Sequence, residues 1–383
     1  MSRLVLEGRD PASQDGLRLT IENGQITGRE SFAPSSDLPW IAAGLVDLQV
    51  NGYGGIDLND GALSVETVVA LCRRLAREGT TRFMPTLITA YEHEICQRLA
   101  AIAEAVRKDD MARAMIAGIH VEGPFISPID GPRGAHPLAC TRAADVAEVA
   151  RWIEAAQGLI RIITLAPEVP GALEVIRYGA ANGITMALGH SGGEPEHFHA
   201  AAEAGATMST HLGNGIFAVM PRHPNPIWTQ LADDRLMAGL IGDGHHLPAA
   251  TLKSLLRAKG HSRAFFVSDS VAVGGLPPGL YQTPIGGAVE VAPSGRVSLA
   301  GTVFLGGSGQ CLREIAGRAP KLCDITLAEA LALSSFHPAR IMDLPPATLV
   351  IGARADVILF DWAAGDEALT VTQAYVGGTE VGA

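Results

Sequence analysis

Three side chains that could bind a metal ion each follow a short apolar run of the sequence. Glu122 comes after the run 114–119 and just before Gly123-Pro124, while His190 and His211 follow similar runs further along the chain. If these runs are buried strands, each side chain lies where a strand meets a turn. One carboxylate and two neutral imidazoles form the ligand set of a catalytic zinc or iron site with an open position for water. A surface glutamate and two half-buried histidines are the alternative interpretation.

Two further residues could carry protons or stabilise charge. Asp269 follows another apolar run, and a carboxylate in such a place can have its pKa adjusted and act as a proton carrier. An Asx turn or a helix N-cap is the alternative for Asp269. His136 lies in a loop rich in glycine and proline, shortly after Glu122. Such a loop could bring a neutral donor to a carbonyl oxygen, although an exposed loop histidine has the same sequence pattern.

A third group of residues could bind an anion. Asn214 and Gly215 lie in a stretch whose flexible backbone can offer N–H groups, and Arg222 can offer a bidentate guanidinium fork. His246, at the end of the stretch 243–246, is a further candidate contact. All four are also ordinary loop residues, so the sequence leaves both interpretations open.

The composition favours a soluble protein with a large core. Of the 383 residues, 47% are apolar and 18% are charged, and the net charge is −11. This charge argues against nucleic-acid binding, although a local basic site could still bind a phosphorylated small molecule. An odd number of cysteines without a close pair predicts a reducing compartment. No apolar run approaches the roughly 20 residues that span a membrane, and the first residues lack a signal-peptide core, so we expect a cytoplasmic protein without membrane contact.

The middle of the chain alternates predicted strands and predicted helices. Apolar runs predict strands at 45–50, 81–85, 115–120, 160–165, 185–188, 206–210, 237–241 and 264–267. Amphipathic stretches between them predict helices at 65–78, 93–107, 143–156, 172–181, 197–204 and 249–258. Eight such runs with intervening helices favour an α/β fold, a (β/α)8 barrel, whose active site lies at the C-terminal ends of its strands. The residues that fall at such ends are Gln49, Asn51, Glu122, His190, His211, His246 and Asp269.

Both ends of the chain carry short stretches of alternating apolar and polar residues. Near the N-terminus these flank an Asn23-Gly24 turn, which is typical of a hairpin, and the last 30 residues have the same character. We therefore expect a small β domain made of residues 1–43 and 345–383, beside a barrel domain of residues 44–344. Two unrelated edge hairpins are the alternative.

A series of short motifs runs through nearly the whole chain. It starts with the glycine-rich segment 44–55 and continues with the segment 120–125, whose sequence is His-Val-Glu-Gly-Pro-Phe. The segments 189–191, 210–214, 243–246 and 267–269 follow in order. Together they resemble the N-acetylglucosamine-6-phosphate deacetylases of the amidohydrolase superfamily, and the whole set is specific although no single motif is.

The resemblance implies a role for each candidate residue. Glu122, His190 and His211 would bind metal, Asp269 would transfer protons, and His136 would contact the substrate carbonyl. The implied phosphate contacts are His246, the backbone of Asn214 and Gly215, and Arg222, which the family often supplies to the neighbouring subunit. The resemblance also implies a distorted barrel, a small β-sandwich built from both termini, and a homodimer.

Two features of the motifs bear on the metal and on the substrate. Many amidohydrolases have histidines where this chain has Gln49 and Asn51, which are poor ligands, so we expect one divalent metal ion per subunit. Zinc fits this ligand set best, with iron, manganese and cobalt as alternatives. The family also usually has an aromatic residue at 213 and alanine at 215, where this chain has glycine at both positions. These departures leave the chemistry intact and affect the pocket wall near the sugar or phosphate.

The reaction expected from the resemblance is metal-assisted hydrolysis of the N-acetyl group of N-acetylglucosamine-6-phosphate. A related N-acyl substrate is an alternative, namely N-acetylgalactosamine-6-phosphate, an unphosphorylated N-acetyl sugar or an N-acyl amino acid. A non-enzymatic protein that binds a sugar phosphate is the third hypothesis.

Overall fold

The computed structural model describes residues 3–35, 37–283, 287–302 and 304–382. The chain starts with four strands: β1 (Leu4–Arg9), β2 (Gly16–Glu22), β3 (Gln25–Phe32) and β4 (Trp40–Ala43). Strand β2 pairs antiparallel with both β1 and β3. Asn23 and Gly24 join β2 to β3 with φ of 53° and 76°, because a two-residue hairpin turn of this kind needs positive φ at both positions. The predicted Asn-Gly hairpin is confirmed.

A parallel sheet of eight strands forms the barrel. After β5 (Leu45–Val50) comes a short hairpin of β6 (Gly52–Tyr53) and β7 (Ile56–Asp57). The other barrel strands are β8 (Thr80–Ile88), β9 (Ile119–Glu122), β10 (Ile160–Leu165), β11 (Thr185–Leu188), β12 (Ala206–Ser209), β13 (Met237–Ile241) and β14 (Ala264–Val267). Each pairs in parallel with the next in the order β5 to β14. A parallel bridge between Val50 and Ser270 joins the first strand to the end of the last, so the predicted barrel is confirmed.

Helices connect the barrel strands. They are α1 (Val65–Arg77), α2 (Glu92–Lys108), α3 (Asp110–Met115), α4 (Val146–Ala155), α5 (Ala172–Ala181), α6 (Pro195–Ala204), α7 (Pro226–Ala232) and α8 (Ala249–Lys259). Two short 3-10 helices lie at Leu138–Cys140 and His261–Arg263. The six predicted helices are all present, with ends that differ by three residues at most. No helix among the described residues is long and apolar enough to cross a membrane.

One predicted strand is partly wrong. The sequence predicted a strand from 115 to 120, but Met115 is the last residue of α3 and β9 begins at Ile119. Asp109 explains the difference, because its side chain accepts a hydrogen bond from the Ala112 backbone N–H and caps α3 at its start. The helix can therefore extend into the apolar run, and its buried Met115 packs in the core outside the barrel sheet.

A small antiparallel sheet is inserted after the last barrel strand, where the sequence analysis made no prediction. It consists of β15 (Gly279–Thr283), β16 (Gly287–Val291) and β17 (Val297–Leu299). The apolar side of this inserted sheet packs on Val271 and Val273, which follow Asp269. Three helices come next: α9 (Leu312–Cys323), α10 (Leu327–Ser334) and α11 (Phe336–Ile341).

The two chain ends form one β unit, as predicted. The last strands are β18 (Val357–Asp361), β19 (Thr370–Val376) and β20 (Thr379–Glu380). Strand β18 pairs antiparallel with β4, which joins the C-terminal strands to the N-terminal ones. The result is a single sheet of seven strands in the order β20-β19-β18-β4-β1-β2-β3. We propose that residues 1–43 and 345–383 form one domain and residues 44–344 the other.

A buried ion pair connects this terminal sheet to the barrel. The guanidinium Nε of Arg82, on β8, lies 3.3 Å from the Oδ2 of Asp356, just before β18, and both side chains are at most 5% exposed. Arg354 Nε lies 3.1 Å from the other carboxylate oxygen. Burial, the largest cause in each case, raises the pKa of Asp356 and lowers that of Arg82. The attraction between the two charges therefore offsets only part of the free energy that their burial costs.

We expect Asp356→Leu to lower the free energy of unfolding by about 3–5 kcal/mol, because it leaves the Arg82 charge buried without its partner. Chemical denaturation followed by circular dichroism would measure this loss. The double variant Arg82→Met/Asp356→Leu removes both charges and should recover most of the stability. Equal losses in the single and double variants would show that the ion pair is not the cause.

Candidate active site

The three predicted metal ligands meet at the C-terminal ends of barrel strands. The Oε1 of Glu122, the last residue of β9, lies 3.2 Å from His190 Nε2 and 2.9 Å from His211 Nε2. The two imidazole Nε2 atoms are 3.1 Å apart. All three side chains are at most 9% exposed. The structure thus brings one carboxylate oxygen and two imidazole nitrogens together. In the sequence, His190 lies 68 positions and His211 lies 89 positions after Glu122.

The hydrogen bonds around His190 show that a cation fits between these atoms. His190 Nδ1 lies 2.9 Å from the backbone carbonyl oxygen of Pro132, so Nδ1 carries the proton and donates it. In the neutral ring, Nε2 then presents a lone pair to the Glu122 carboxylate, and two acceptors face each other in a buried place. Such an arrangement is favourable when a proton or a metal ion lies between them, and the Pro132 contact is the usual outer support of a metal-binding histidine.

The charges within this cluster point the same way. Burial by itself would raise the pKa of Glu122, but hydrogen bonds and positive charge from His190 and His211 outweigh burial and hold that pKa well below its usual range. Burial would lower the pKa of His211, but Glu122 outweighs it and raises that pKa. The cluster therefore stabilises positive charge at its centre.

His136 is a second neighbour of this centre. Ligand-capable atoms of Glu122, His136 and His190 lie within 4.8 Å of one another, and the ring centroids of His136 and His190 are 4.2 Å apart. His136 Nδ1 lies 2.7 Å from the Thr89 hydroxyl, which leaves Nε2 for the cavity. His211 contacts the other two candidate ligands within 3.1 Å, so it fits the ligand set more tightly than His136 does.

Unusual backbone conformations occur at the strand ends that carry the site. His190, His211 and Asp269 have φ of 51°, 30° and 49°, in the left-handed region that residues other than glycine rarely adopt. Such conformations persist where the surroundings hold them in place, and they concentrate at functional sites. Glu168 holds the two residues that follow His190, because its carboxylate accepts hydrogen bonds from the Ser191 hydroxyl and the Gly192 backbone N–H, both at 2.7 Å.

A chain of buried hydrogen bonds connects residues that are near the candidate metal ligands. His120 Nε2 lies 2.7 Å from the Thr164 hydroxyl, which in turn lies 2.6 Å from the Thr210 hydroxyl. These residues belong to β9, β10 and the end of β12, and two of them are close in sequence to Glu122 and His211. Burial lowers the pKa of His120 to about 4, so its ring is neutral and can act as both donor and acceptor.

Gln49 and Asn51 link the cluster to Asp269. The Gln49 side-chain amide donates to both carboxylate oxygens of Glu122 at 3.0 Å and lies 3.1 Å from Asp269 Oδ1. Asn51 Nδ2 donates to the same Asp269 oxygen at 2.8 Å. The sequence placed these two residues at a strand end and identified them as poor metal ligands, whereas the structure shows that their amides donate to the two carboxylates.

Asp269 has the properties of a proton carrier. It is half-buried at the end of β14, and it lines the same cavity as the cluster. Burial raises its pKa to about 6, with a smaller contribution in the same direction from the negative charge of Glu122. His136 differs, because burial is the main cause that keeps its pKa well below the usual range, so its ring is neutral and can donate a hydrogen bond.

One cavity of about 380 Å³ contains this cluster and most of the other predicted residues. Asn214, Gly215, His246, His136 and Asp269 all line it, together with Glu122, His190 and His211. Arg222 does not line the cavity of this chain. Its side chain is exposed in the loop before α7.

The sequence analysis missed several residues of the cavity wall. Asp57 and Asn59 follow the first barrel strand, and Phe304, Leu305, Gly306 and Gly307 come from the segment after the inserted sheet. Thr89 was missed as well, and Asp243 was recognised only as part of the motif 243–246, although each holds a histidine that was predicted. Neither has a sequence signal of its own, because a threonine or an aspartate beside a strand end is common in any barrel.

Comparison with known proteins identifies the class of this protein. Residues 40–381 match the model of the amidohydrolase family, so the chain belongs to the amidohydrolase family. An N-acetylglucosamine-6-phosphate deacetylase of Bacillus subtilis (strain 168) is 32% identical over 335 residues, covering 86% of this chain and 82% of the relative. An N-acetylgalactosamine-6-phosphate deacetylase of Escherichia coli O157:H7 is 31% identical, covering 93% of this chain and 95% of the relative.

A solved structure agrees with these relatives. An N-acetyl-D-glucosamine-6-phosphate deacetylase from Mycobacterium smegmatis, a point mutant in complex with N-acetyl-D-glucosamine-6-phosphate, superposes with a TM-score of 0.87. It is 27% identical, and the match covers 100% of both chains. The resemblance to the N-acetylglucosamine-6-phosphate deacetylases, inferred from motifs, is thereby confirmed.

Proposed function

We propose that this protein hydrolyses the N-acetyl group of N-acetylglucosamine-6-phosphate and releases glucosamine-6-phosphate and acetate. The observation that supports this most strongly is the convergence of Glu122, His190 and His211 beside Asp269 in one cavity. The names of the relatives and of the solved structure fit a substrate of this class. The names of these relatives specify N-acetylated amino-sugar phosphates as their substrates.

We assign one divalent metal ion per subunit to Glu122, His190 and His211. Zinc is the ion that we favour for one carboxylate and two imidazoles, with iron, manganese and cobalt as alternatives. When bound, the ion supplies Lewis-acid polarisation of the amide carbonyl and lowers the pKa of water. Gln49 and Asn51 argue against a second ion. Their amide N–H groups donate hydrogen bonds to Glu122 and Asp269, and such donors would repel another cation.

The chain's own residues would then carry the protons. Asp269 would take a proton from the attacking water and later transfer it to the departing amine nitrogen. Gln49 and Asn51 hold one of its oxygens, which aims the other at the cavity. His136 would donate a hydrogen bond from Nε2 to the oxygen that becomes negative, while the Thr89 hydroxyl at Nδ1 fixes the ring. A donor of this kind contributes about 3–4 kcal/mol in other acyl-transfer sites.

The substrate phosphate would lie near the ends of β12 and β13. We propose that the backbone of Asn214 and Gly215 and the ring of His246 contact it, because these groups line that side of the cavity. Arg222 lies outside the cavity of its own chain, which fits the family pattern in which a neighbouring subunit receives it. We therefore propose a homodimer, and we propose the cytoplasm as its location.

The direct test of the proposed reaction is product analysis. Metal-loaded protein incubated with N-acetylglucosamine-6-phosphate should release acetate and free amine in equal amounts. A chelator should stop the release, and added zinc should restore it, because the proposed ion supplies the polarisation of the amide carbonyl. Release that persists in metal-free protein would contradict a metal-dependent deacetylase, and binding without release would favour a sugar-phosphate-binding protein.

The raised pKa of Asp269 predicts an acid limb in the pH profile. Asp269 must be ionised to accept a proton, so kcat/KM should fall about tenfold per pH unit below its pKa and should be constant above it. That pKa is about 6 without a cation, and a bound cation lowers it because positive charge favours the carboxylate. We therefore expect the midpoint at or below about pH 6 in the profile between pH 4.5 and 8. A midpoint above pH 7 would rule out Asp269 as the group that is titrated.

A further inference from the structure

A buried carboxylate holds the ring of His246. Asp243, two residues after β13, is only 2% exposed. Its Oδ2 lies 2.7 Å from His246 Nδ1, and its Oδ1 accepts hydrogen bonds from the backbone N–H groups of His245 and His246 at 2.8 and 2.9 Å. Every oxygen of this carboxylate therefore serves the segment that carries His246.

The backbone of Asp243 is fixed as well. Arg318, on α9, donates from Nη1 to the Asp243 carbonyl oxygen at 2.9 Å. The side chain of Arg318 is itself held, because its Nε lies 3.5 Å from the Glu367 carboxylate. The hydrogen bond from His246 Nδ1 to Asp243 then leaves the ring a single orientation, in which Nε2 is the nitrogen that can serve the cavity.

The cavity needs a proton donor of this kind. Among the described residues that line it, none is lysine or arginine, whereas Glu122, Asp269 and Asp57 are carboxylates. An anionic group of a substrate would therefore meet no lysine or arginine side chain of this chain's described cavity lining, apart from any arginine that a neighbouring subunit supplies. A histidine ring whose two nitrogens both face anionic acceptors, here the Asp243 carboxylate and a bound phosphate, can donate a hydrogen bond from each nitrogen.

We infer that Asp243 is a positioning residue for phosphate recognition: it orients His246 so that Nε2–H donates to the phosphate of the substrate. This inference rests on the proposed function, because it assumes a phosphorylated substrate. A charge-assisted hydrogen bond of this type is worth roughly 10- to 100-fold in binding. Asp243 acts only through His246 and touches neither the scissile amide nor the metal ligands.

Kinetics with two substrates test the inference. In Asp243→Asn, one of the two acceptor oxygens becomes an NH₂ donor, so the side chain cannot accept from the backbone N–H groups and from His246 Nδ1 at once, and the negative charge behind the ring is lost. We expect kcat/KM for N-acetylglucosamine-6-phosphate to fall about 10- to 100-fold through a higher KM. The value for unphosphorylated N-acetylglucosamine should fall much less, so the ratio of the two drops at least about tenfold. Asp361→Asn, an exposed substitution on the terminal sheet, is the matched control.

A double-variant cycle shows whether Asp243 works through His246. His246→Gln alone should reduce the same ratio, and adding Asp243→Asn to it should cause little further loss, because the ring that Asp243 orients is gone. Inhibition by glucose 6-phosphate, which lacks the amide, gives a second measure. Its inhibition constant should rise in Asp243→Asn by at least about tenfold.

Three outcomes are distinguishable. If Asp243→Asn keeps the wild-type ratio and the wild-type inhibition constant, the role of Asp243 is overturned while the proposed function stands. If the losses in the two single variants add up in the double variant, Asp243 does not act through His246 and the inference is also overturned. If the wild-type protein itself does not prefer the phosphorylated sugar, the proposed substrate is wrong, which is a different result from either of the others.

Discussion

Asp269→Asn should reduce kcat/KM by about 10²- to 10⁴-fold, which is the usual range for removing a general base. The Gln49 and Asn51 amides donate to Oδ1 of Asp269, and an asparagine oxygen can accept both of these hydrogen bonds. The substituted side chain therefore keeps its place, while the group that faces the cavity changes from a carboxylate oxygen to an NH₂ group. The variant lacks a proton acceptor without losing the shape of the site.

Steady-state kinetics and elemental analysis of the same preparations would measure this effect. The metal content of Asp269→Asn should equal that of the wild type, since the three ligands are intact, and its acid limb should disappear. Asp361→Asn is the control for the chemistry of the substitution. Activity within threefold of the wild type would show that another group moves the proton. Loss of the metal would show that Asp269 is itself a ligand.

Glu122→Gln should remove the metal and, with it, at least about 10³-fold of the activity, because the chemistry that the ion supplies is lost. The Glu122 carboxylate lies between His190 and His211 on one side and Gln49 on the other. A neutral amide at this position gives a divalent ion no negative charge. Its NH₂ group would also replace an oxygen that now accepts a hydrogen bond from the Gln49 amide. We expect less than about one tenth of an ion per chain after dialysis.

Elemental analysis and thermal unfolding separate this result from misfolding. The folded state should persist, since an amide replaces a carboxylate of the same size, although added zinc should no longer raise the melting temperature as it does in the wild type. Glu154→Gln, exposed on α4, is the matched control. A Glu122→Gln protein that keeps one ion per chain would exclude Glu122 as a ligand.

The elements of the barrel were predictable because each has its own local signal. The apolar runs are confirmed as strands, and the amphipathic stretches as helices, within a few residues. The candidate residues Glu122, His190, His211 and Asp269 were predictable for the same reason, because each directly follows such a run. In a parallel barrel the C-terminal ends of all strands lie on one face, so the strand pattern of the sequence was enough to predict that these residues lie close together.

The remaining features depend on contacts that no local pattern encodes. The inserted sheet was missed because its short strands cover an apolar patch, Val271 and Val273, that only the folded chain creates. The hydrogen bonds from Gln49 to Glu122 and Asp269 join residues 73 and 220 positions apart. Asp243 and Thr89 act by holding a histidine ring, and such a role becomes visible only when the ring's orientation is known.

The most direct test of the proposed function is kcat/KM for free-amine release by the metal-loaded protein. The substrates to compare are N-acetylglucosamine-6-phosphate, its galactosamine epimer and unphosphorylated N-acetylglucosamine. We predict a preference of at least about 100-fold for the first over the unphosphorylated sugar, which corresponds to about 2.7 kcal/mol of phosphate recognition. Similar values for these two sugars would contradict the phosphate site and leave a deacylase of another substrate. Faster release from the epimer would make the protein an N-acetylgalactosamine-6-phosphate deacetylase.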